Sequence, residues 1–483
     1  MSEIVNIGSR DASQGGQVDN VSTPSDQGKR GWTSCPPCPP RLPNIPPEFW
    51  KARKVHQQIR QAAHSRLVSA DLVLHGVLAK IAAMRSPELV FDSGRGRSCA
   101  NYFAAPVGAS GTGKSTGAAV VDELVTVPAY LSPEATGEPM PFSDSLPMGS
   151  GEGVAEAFMG VRECEGVSKN GEPIVQKRRC KVRDNVFITL DEGETFTKIN
   201  DRKGSTNGPA IRSAWMGTVI GQNNGREDTT RIVPAGSYSL GMLVGFQPAT
   251  ALPLLQDTAT GTAQRFAWVS AVDPTIPDEP VEWPGPLTFP ALVDEEDDEP
   301  SPRKGVMSFP EEVKSTLRAD HLAKVRGEVI VPECDSQGPL MRCKLAVLLA
   351  LLDRRFDKVT DEDWRLAGIL WETSCAVRDA VTDAAQQEKA RDAEAIAQAK
   401  VQLAERTAAA TAGVDAKLAR LATVLAEKVL ENGHLMRAAA RRTLRSDERG
   451  LFDPVVERAV AMGLLRVSEG GGLYPPGPGR IPA

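Results

Sequence analysis

Gly108-Ala109-Ser110-Gly111-Thr112-Gly113-Lys114-Ser115 follows the apolar run Tyr102 to Val107 and precedes a helix-favouring stretch, Thr116 to Leu124. The eight residues satisfy G-x-x-x-x-G-K-[ST] at every required position, between a strand and a helix as that pattern demands. Glycines let successive backbone N–H groups fold around phosphate oxygens, and the start of the following helix adds partial positive charge. In this chemistry Lys114 neutralises the β and γ phosphates of a nucleotide and the Ser115 hydroxyl ligates magnesium. Gly108, Ala109, Ser110, Gly111, Thr112, Gly113 and Thr116 complete the lining.

Working outward, Val186-Phe187-Ile188-Thr189-Leu190-Asp191-Glu192 is an apolar strand run ending in two carboxylates. A parallel sheet would bring Asp191 to the carboxyl edge beside the phosphate loop, where it holds the magnesium shell, and Glu192 is suited to activate water. Glu152, in Gly149-Ser150-Gly151-Glu152-Gly153, is a second candidate base or a simple helix cap. Leu243-Val244-Gly245-Phe246-Gln247 reads as a strand ending in an amide, so Gln247 is a candidate sensor of the γ-phosphate. Arg265, just before the run Phe266 to Val269, could reach a neighbouring subunit's nucleotide, with Arg342 a rival sensor. The cofactors expected are therefore ATP and Mg2+.

The chain has 483 residues, more than one hydrophobic core usually organises. Its 56 Lys and Arg against 62 Asp and Glu leave a formal net charge of −6, so a nucleic acid would have to be met by a local patch. No stretch has the length and apolarity of a membrane span or a signal peptide, and the eight Cys are scattered, which fits a reducing cytoplasm. Cys35 and Cys38 alone have metal-ligand spacing, and without a second pair or a nearby His they read as free thiols.

Residues 1–45 form a Pro/Ser/Gly-rich tail expected to be disordered. In the helical segment 46–97, Phe49, Trp50, Val55, Ile59, Ala63 and Leu67 recur at helical spacing, and Ser69 looks like the N-cap of a second helix. Short apolar runs alternating with helical patterns predict an α/β core with a mostly parallel sheet over 98–275. An acidic, Pro-rich linker occupies 276–305, and 306–412 holds a helical lid, in which Thr360 and Asp363 form a helix-capping pair, and a long connecting helix. Within 413–476, helices at about 416–430, 435–444 and 454–465 followed by a Gly-tipped hairpin predict a winged helix; 477–483 is a tail. This last unit carries seven Arg against four carboxylates between Gly433 and Ser468, which makes Arg437, Arg441, Arg442 and Arg445 candidate DNA contacts, although winged helices also bind proteins. Lys198, Arg202 and Lys203, with Arg212, Arg226 and Arg231, are candidates for loops that track a single strand.

Phe49-Trp50, the phosphate loop, Gly149 to Gly153, Leu190-Asp191-Glu192-Gly193, Gly245-Phe246-Gln247-Pro248 and Gln264-Arg265-Phe266 together resemble a group of actinobacterial phage and mobile-element ATPases. These are similar to the helicase halves of primase-helicase replication proteins. The stretch from Leu345 to Trp364 resembles the lid of such helicases, which recurs in minichromosome-maintenance ATPases, and Arg441-Arg442-Thr443 with Phe452 resembles their terminal winged helix. The resemblance implies a P-loop NTPase core of RecA/AAA+ type with N-terminal helices, a helical lid and a C-terminal winged helix. It implies an ATP-dependent DNA helicase or translocase in phage or mobile-element replication, a homo-oligomer of hexameric size, and single-stranded DNA as partner. The 45 residues ahead of the core are too few for a primase, so the resemblance leaves two alternatives, a protein that acts alone or one that acts beside a separate primase. An ATP-switched initiator or helicase loader that binds DNA without unwinding it is the alternative.

Overall fold

The computed structural model describes residues 42–127, 131, 142–146, 151–167, 173–200, 206–222, 230–257, 260–287, 293–294 and 301–477. Cys35, Cys38, Gly149, Ser150, Arg202, Lys203, Arg226 and the acidic run after Asp294 lie outside these residues. The described residues belong to one compact unit, Leu42–Ala483.

Three helices come first: α1 (Pro47–Ala52), α2 (Lys54–Ser65) and α3 (Ala70–Met84). The Ser69 hydroxyl accepts the Leu72 amide, as the sequence predicts for an N-cap. All 15 residues of α3 are buried, so it has no solvent face and acts as the central helix of the core. Its three ionisable residues are each satisfied. Asp71 accepts the Ile45 amide at 2.9 Å and the Asn44 side chain at 3.1 Å, and His75 meets the Tyr102 hydroxyl at 2.5 Å. Lys80 ion-pairs with Asp122 and, at 2.9 Å, with Asp144.

Strands β1 (Leu89–Asp92) and β2 (Arg97–Ser98) form a small sheet to which the much later β14 (Gly305–Ser308) adds in parallel. The core sheet has five strands, all parallel: β3 (Tyr102–Val107), β4 (Phe142–Leu146), β7 (Asn185–Leu190), β10 (Ser239–Val244) and β11 (Phe266–Ser270), in the spatial order β11-β3-β10-β7-β4. With helix α3 against it and α4 (Lys114–Leu124) packed on α3, this is an α/β core. The strands read as near-continuous apolar runs because they are covered on both faces. At Gly241 on β10 a Cβ would lie 1.9 Å from the Ala79 carbonyl oxygen of α3, so helix and strand touch backbone to backbone. The outer edge of β11 is closed by the Ser374 hydroxyl, which accepts the Trp268 amide at 2.7 Å.

Two hairpins were not legible in the sequence. One pairs β5 (Met159–Val167) with β6 (Pro173–Lys181); the other pairs β8 (Ile220–Gln222) with β9 (Arg231–Val233). The first carries charges rather than an apolar alternation, with Glu163 opposite Lys177 in register.

The helix Gly338–Leu352 docks on the core through Lys344, which is buried and donates to the carbonyls of Asn101 at 2.9 Å and Trp215 at 2.6 Å. Burial lowers its ammonium to about 8. Thr360 and Asp363 make the expected reciprocal cap, and Arg53 from the α1–α2 junction pairs with Asp363 at 2.7 Å. From that cap one helix of 71 residues runs Asp361–Glu431, where the sequence suggested successive pieces. Its length at about 1.5 Å per residue is about 105 Å. Gly413 does not interrupt it: one Gly costs only about 1 kcal/mol relative to Ala. The end of this helix supplies Leu421, Leu425 and Val429 to a second, separate core. Around that core lie β15 (Leu435–Met436), a helix Arg437–Thr443, a helix Phe452–Ala461, and β16 (Arg466–Val467) paired with β17 (Gly472–Tyr474). Leu435 and Met436, expected to open a helix, instead pair with β17.

Replacing Gly241 by Ala should lower stability by about 1–3 kcal/mol in a urea titration, because the new methyl group meets backbone that cannot step aside. An unchanged midpoint would contradict the contact between α3 and the sheet.

Candidate functional site

The carboxyl ends of the four contiguous strands of the core sheet are laced by backbone hydrogen bonds beyond the strands themselves. Gly108 N donates to Phe246 O at 3.1 Å, Phe246 N to Pro106 O at 2.8 Å, Gly245 N to Leu190 O at 2.8 Å, Gly193 N to Gly245 O at 2.6 Å, and Ala271 N to Val107 O at 2.8 Å. The loop after β3, the acidic turn after β7 and the amide after β10 are thereby held at one edge, as expected for a parallel sheet.

The loop from Gly108 to Gly113 turns through two glycines in the left-handed region, Gly111 at φ 81° and Gly113 at φ 80°, and delivers Lys114 and Ser115 to the first turn of α4. Ala109, Ser110, Gly111, Ser115 and Thr116 are exposed, whereas Gly108 is buried, where a Cβ would lie 2.5 Å from the Thr112 hydroxyl. The Lys114 ammonium arches back over the loop and donates to Gly108 O at 2.8 Å and Ala109 O at 2.7 Å. Burial lowers its pKa from the ordinary lysine value, and the Asp191 charge opposes that shift. A Cβ at Gly245 would lie 2.9 Å from Asp191 O and 3.4 Å from Lys114 Cδ, so this glycine sits between the amine-bearing chain and the acidic turn. Asp191 and Glu192 are exposed, side by side ahead of the helix Gly193–Asn200.

Gln247 is exposed at the same edge, where its amide N–H donates to the Thr250 hydroxyl at 3.1 Å. Glu152 falls within the helix Gly151–Glu156 and Lys198 within Gly193–Asn200. Arg265 stands ahead of β11, at the opposite end of the sheet from the loop: Phe266 is in register with Phe103, and Ser270 with Val107. Its guanidinium donates to Gly261 O and lies 5.7 Å from the centre of the Trp215 ring. Burial and the neighbouring Arg212 charge lower it to about 10. Arg342 lies over Trp364 at 3.9 Å and donates to the Trp364 carbonyl, so it ties the helix Gly338–Leu352 to the helix Asp361–Glu431. In the C-terminal unit, Arg437 pairs with Asp453 and Arg441 donates to Arg449 O, whereas Arg442 and Arg445 are exposed and their side chains have no partner among the described residues.

Sequence reasoning missed the support beneath the loop. Val68, in the turn between α2 and α3, lies 3.0 Å from where a Cβ on Gly113 would stand, and Leu72 lies 2.4 Å from a Cβ on Gly117 of α4. Asp273 accepts the Ala70 amide at 3.2 Å and bonds His64 at 3.0 Å, fixing the start of α3 against the end of β11. Burial alone would raise the Asp273 carboxyl; the hydrogen bonds from His64, Thr275 and Ala70 outweigh it and hold it well below the usual range. The one available signal was the apolar pair Leu67-Val68 in an interhelical turn. The helical stripe expected to include Leu67 ends before it, since α2 stops at Ser65.

The donor set suits magnesium bound partly by substrate. Among the described residues no cluster of three or more His, Cys, Asp or Glu could form an all-protein cage. The Ser115 hydroxyl and Asp191 together with phosphate oxygens make the kind of shell that ion takes. No single helix among the described residues is long and apolar enough to cross a membrane.

No family model matches the chain, and no curated protein matches it. Among solved structures it is similar to a full-length MCM homolog from Methanopyrus kandleri, at 11% identity, with 69% of this chain and 60% of that one covered and a TM-score of 0.36. The chain thus spans 60% of the length of that structure, a likeness too weak to carry any property across.

Burial raises the Asp71 carboxyl, which accepts the Ile45 amide, from 3.8 to about 7. The folded chain therefore keeps a proton that the unfolded chain releases, and stability contributed at low pH is lost as pH climbs from about 4 through about 7. Asp71→Asn should remove that loss, gaining on the wild type by on the order of a few kcal/mol between pH 5 and pH 8 in denaturant titrations. Parallel pH profiles for the two proteins would contradict a protonated Asp71.

Proposed function

We propose that the chain is a magnesium-dependent ATPase that moves along or unwinds DNA, working as a ring of identical subunits, hexameric in size, in replication of a phage or mobile element. The observation that carries this reading is the assembly of Lys114, Asp191, Glu192 and Gln247 at one edge of a parallel sheet. Lys114 and the loop amides would bind the phosphates, and Ser115 and Asp191 would hold magnesium. Glu192 would orient and deprotonate the attacking water, with Glu152 as the rival base, and Gln247 would sense the γ-phosphate. Arg265, an entire strand away from its own loop, would act in such a ring on a neighbour's nucleotide.

In the same reading the helices Gly338–Leu352 and Asp361–Glu431 form the lid, and the C-terminal core with its three short strands is a winged helix. Of its four candidate arginines, Arg442 and Arg445 are free to meet phosphates, because no acid among the described residues holds them. Lys198, Arg202 and Lys203 would follow a single strand. An ATP-switched initiator or loader remains the second reading, favoured by the free arginines of the C-terminal unit, and a separate primase would serve either.

Lys114→Ala should abolish ATP hydrolysis in a steady-state phosphate-release assay, and Glu192→Gln should keep ATP binding while losing turnover by about a hundredfold or more. Full turnover in the Lys114 variant would refute the ATPase. With forked duplex DNA, strand displacement supports the motor, and hydrolysis without displacement supports the loader. Arg442→Ala and Arg445→Ala should each weaken DNA binding for any sequence and lower the salt slope by about one. Unchanged slopes in fluorescence anisotropy would remove the C-terminal unit from the DNA interface.

A further inference from the structure

The turn between α2 and α3 contains a backbone conformation that its own side chain disfavours. Arg66 N and Val68 N donate to Ala63 O, and Leu67 N to His64 O, each at 3.1 Å, the closing bonds of a helix that ends in a left-handed residue. That residue is Leu67, with φ 54°. Glycine is the usual occupant of this position because a Cβ there crowds the next carbonyl. Little side-chain packing among the described residues offsets the strain, since Leu67 is 68% exposed. A strained, uncovered apolar side chain points to a task outside the fold itself.

Its position indicates the task. Val68, the next residue, packs on Gly113 at the start of the phosphate-loop helix, and the Ser69 hydroxyl donates to Ser270 O at 2.7 Å at the carboxyl end of β11. The turn therefore stands on the β11 side of the loop. The acids and Gln247 follow β7 and β10, on the other side of β3. A triphosphate whose terminal phosphate faces Asp191 must carry its nucleoside away from β10, toward β11 and this turn. Beside Leu67, Arg66 lies 5.2 Å from the centre of the Trp283 ring and pairs with Glu123 of α4 at 3.0 Å, so the wall on that side is braced.

Resting on the ATPase reading, we infer that Leu67 is the base-contacting residue of the nucleotide site: its exposed side chain, held out by a left-handed turn beside Gly113, covers one face of the purine. The contact buries apolar surface without reading base edges.

The test compares Leu67→Gly and Leu67→Met with the wild type, measuring affinity for magnesium-ATP and, by competition, for magnesium-tripolyphosphate, which lacks the base. Leu67→Gly relieves the backbone strain, so its thermal midpoint should hold or rise. Its dissociation constant for ATP should nevertheless rise about tenfold, with tripolyphosphate competition unchanged and Leu67→Met within a few-fold of wild type. Unaltered ATP affinity in Leu67→Gly would overturn the inference, as would an equal loss for ATP and tripolyphosphate, which places the effect in the phosphate loop. Wild-type protein that binds neither ligand would instead bring down the ATPase reading on which the inference rests.

Discussion

The strand end at Gly245 and the backbone of Asp191 approach more closely than a side chain between them would allow, and the site depends on that approach. A Cβ on Gly245 would press on the Asp191 carbonyl oxygen at 2.9 Å and on the Lys114 side chain at 3.4 Å, and one on Gly193 would enter the Phe246 ring at 2.3 Å. These contacts fix the spacing of the Lys114 side chain and the acidic turn, the groups proposed to meet phosphate and metal. Catalytic groups must be placed before charge develops, and a spacing fixed by backbone hydrogen bonds needs no rearrangement when substrate arrives.

The same rigidity extends backward through the fold. The central helix α3 touches β10 at Gly241, braces α4 through Lys80 and Asp122, and starts from a turn that packs on Gly113. Lys344 carries a buried positive charge among the carbonyls of Asn101 and Trp215, the Cys99 sulfur and the Trp215 ring, the last two each 4.0 Å away. Removing such a group's partners would cost more than the pair is worth in an apolar core, so these ties select one arrangement of the helices around the sheet.

How much of this was legible from the sequence depended on how local the physics is. The phosphate loop and the Asp191-Glu192 pair were readable because phosphate and metal chemistry demand fixed residue types at fixed spacing. The Thr360 and Asp363 cap was readable for the same reason, since both partners lie within one helical turn. The β5–β6 hairpin was not, because its strands carry Glu, Lys and Arg and no apolar alternation. The continuity of the helix Asp361–Glu431 was hidden by Gly413 and by weak amphipathicity. Leu67 read as one more apolar position of a helix, and only the tertiary fold shows it left-handed and uncovered. Likewise, that Arg265 rests on Trp215 at the edge remote from the loop follows from strand order and register, which no local pattern encodes.

Titration calorimetry of ATP into the full chain, with and without magnesium, tests most directly whether the loop at Gly108 to Ser115 and the acids at Asp191 and Glu192 form one nucleotide site. The account predicts saturable binding of one nucleotide per chain at micromolar concentration, weakened when magnesium is removed. Well-folded protein that takes up no nucleotide at millimolar ATP would contradict it.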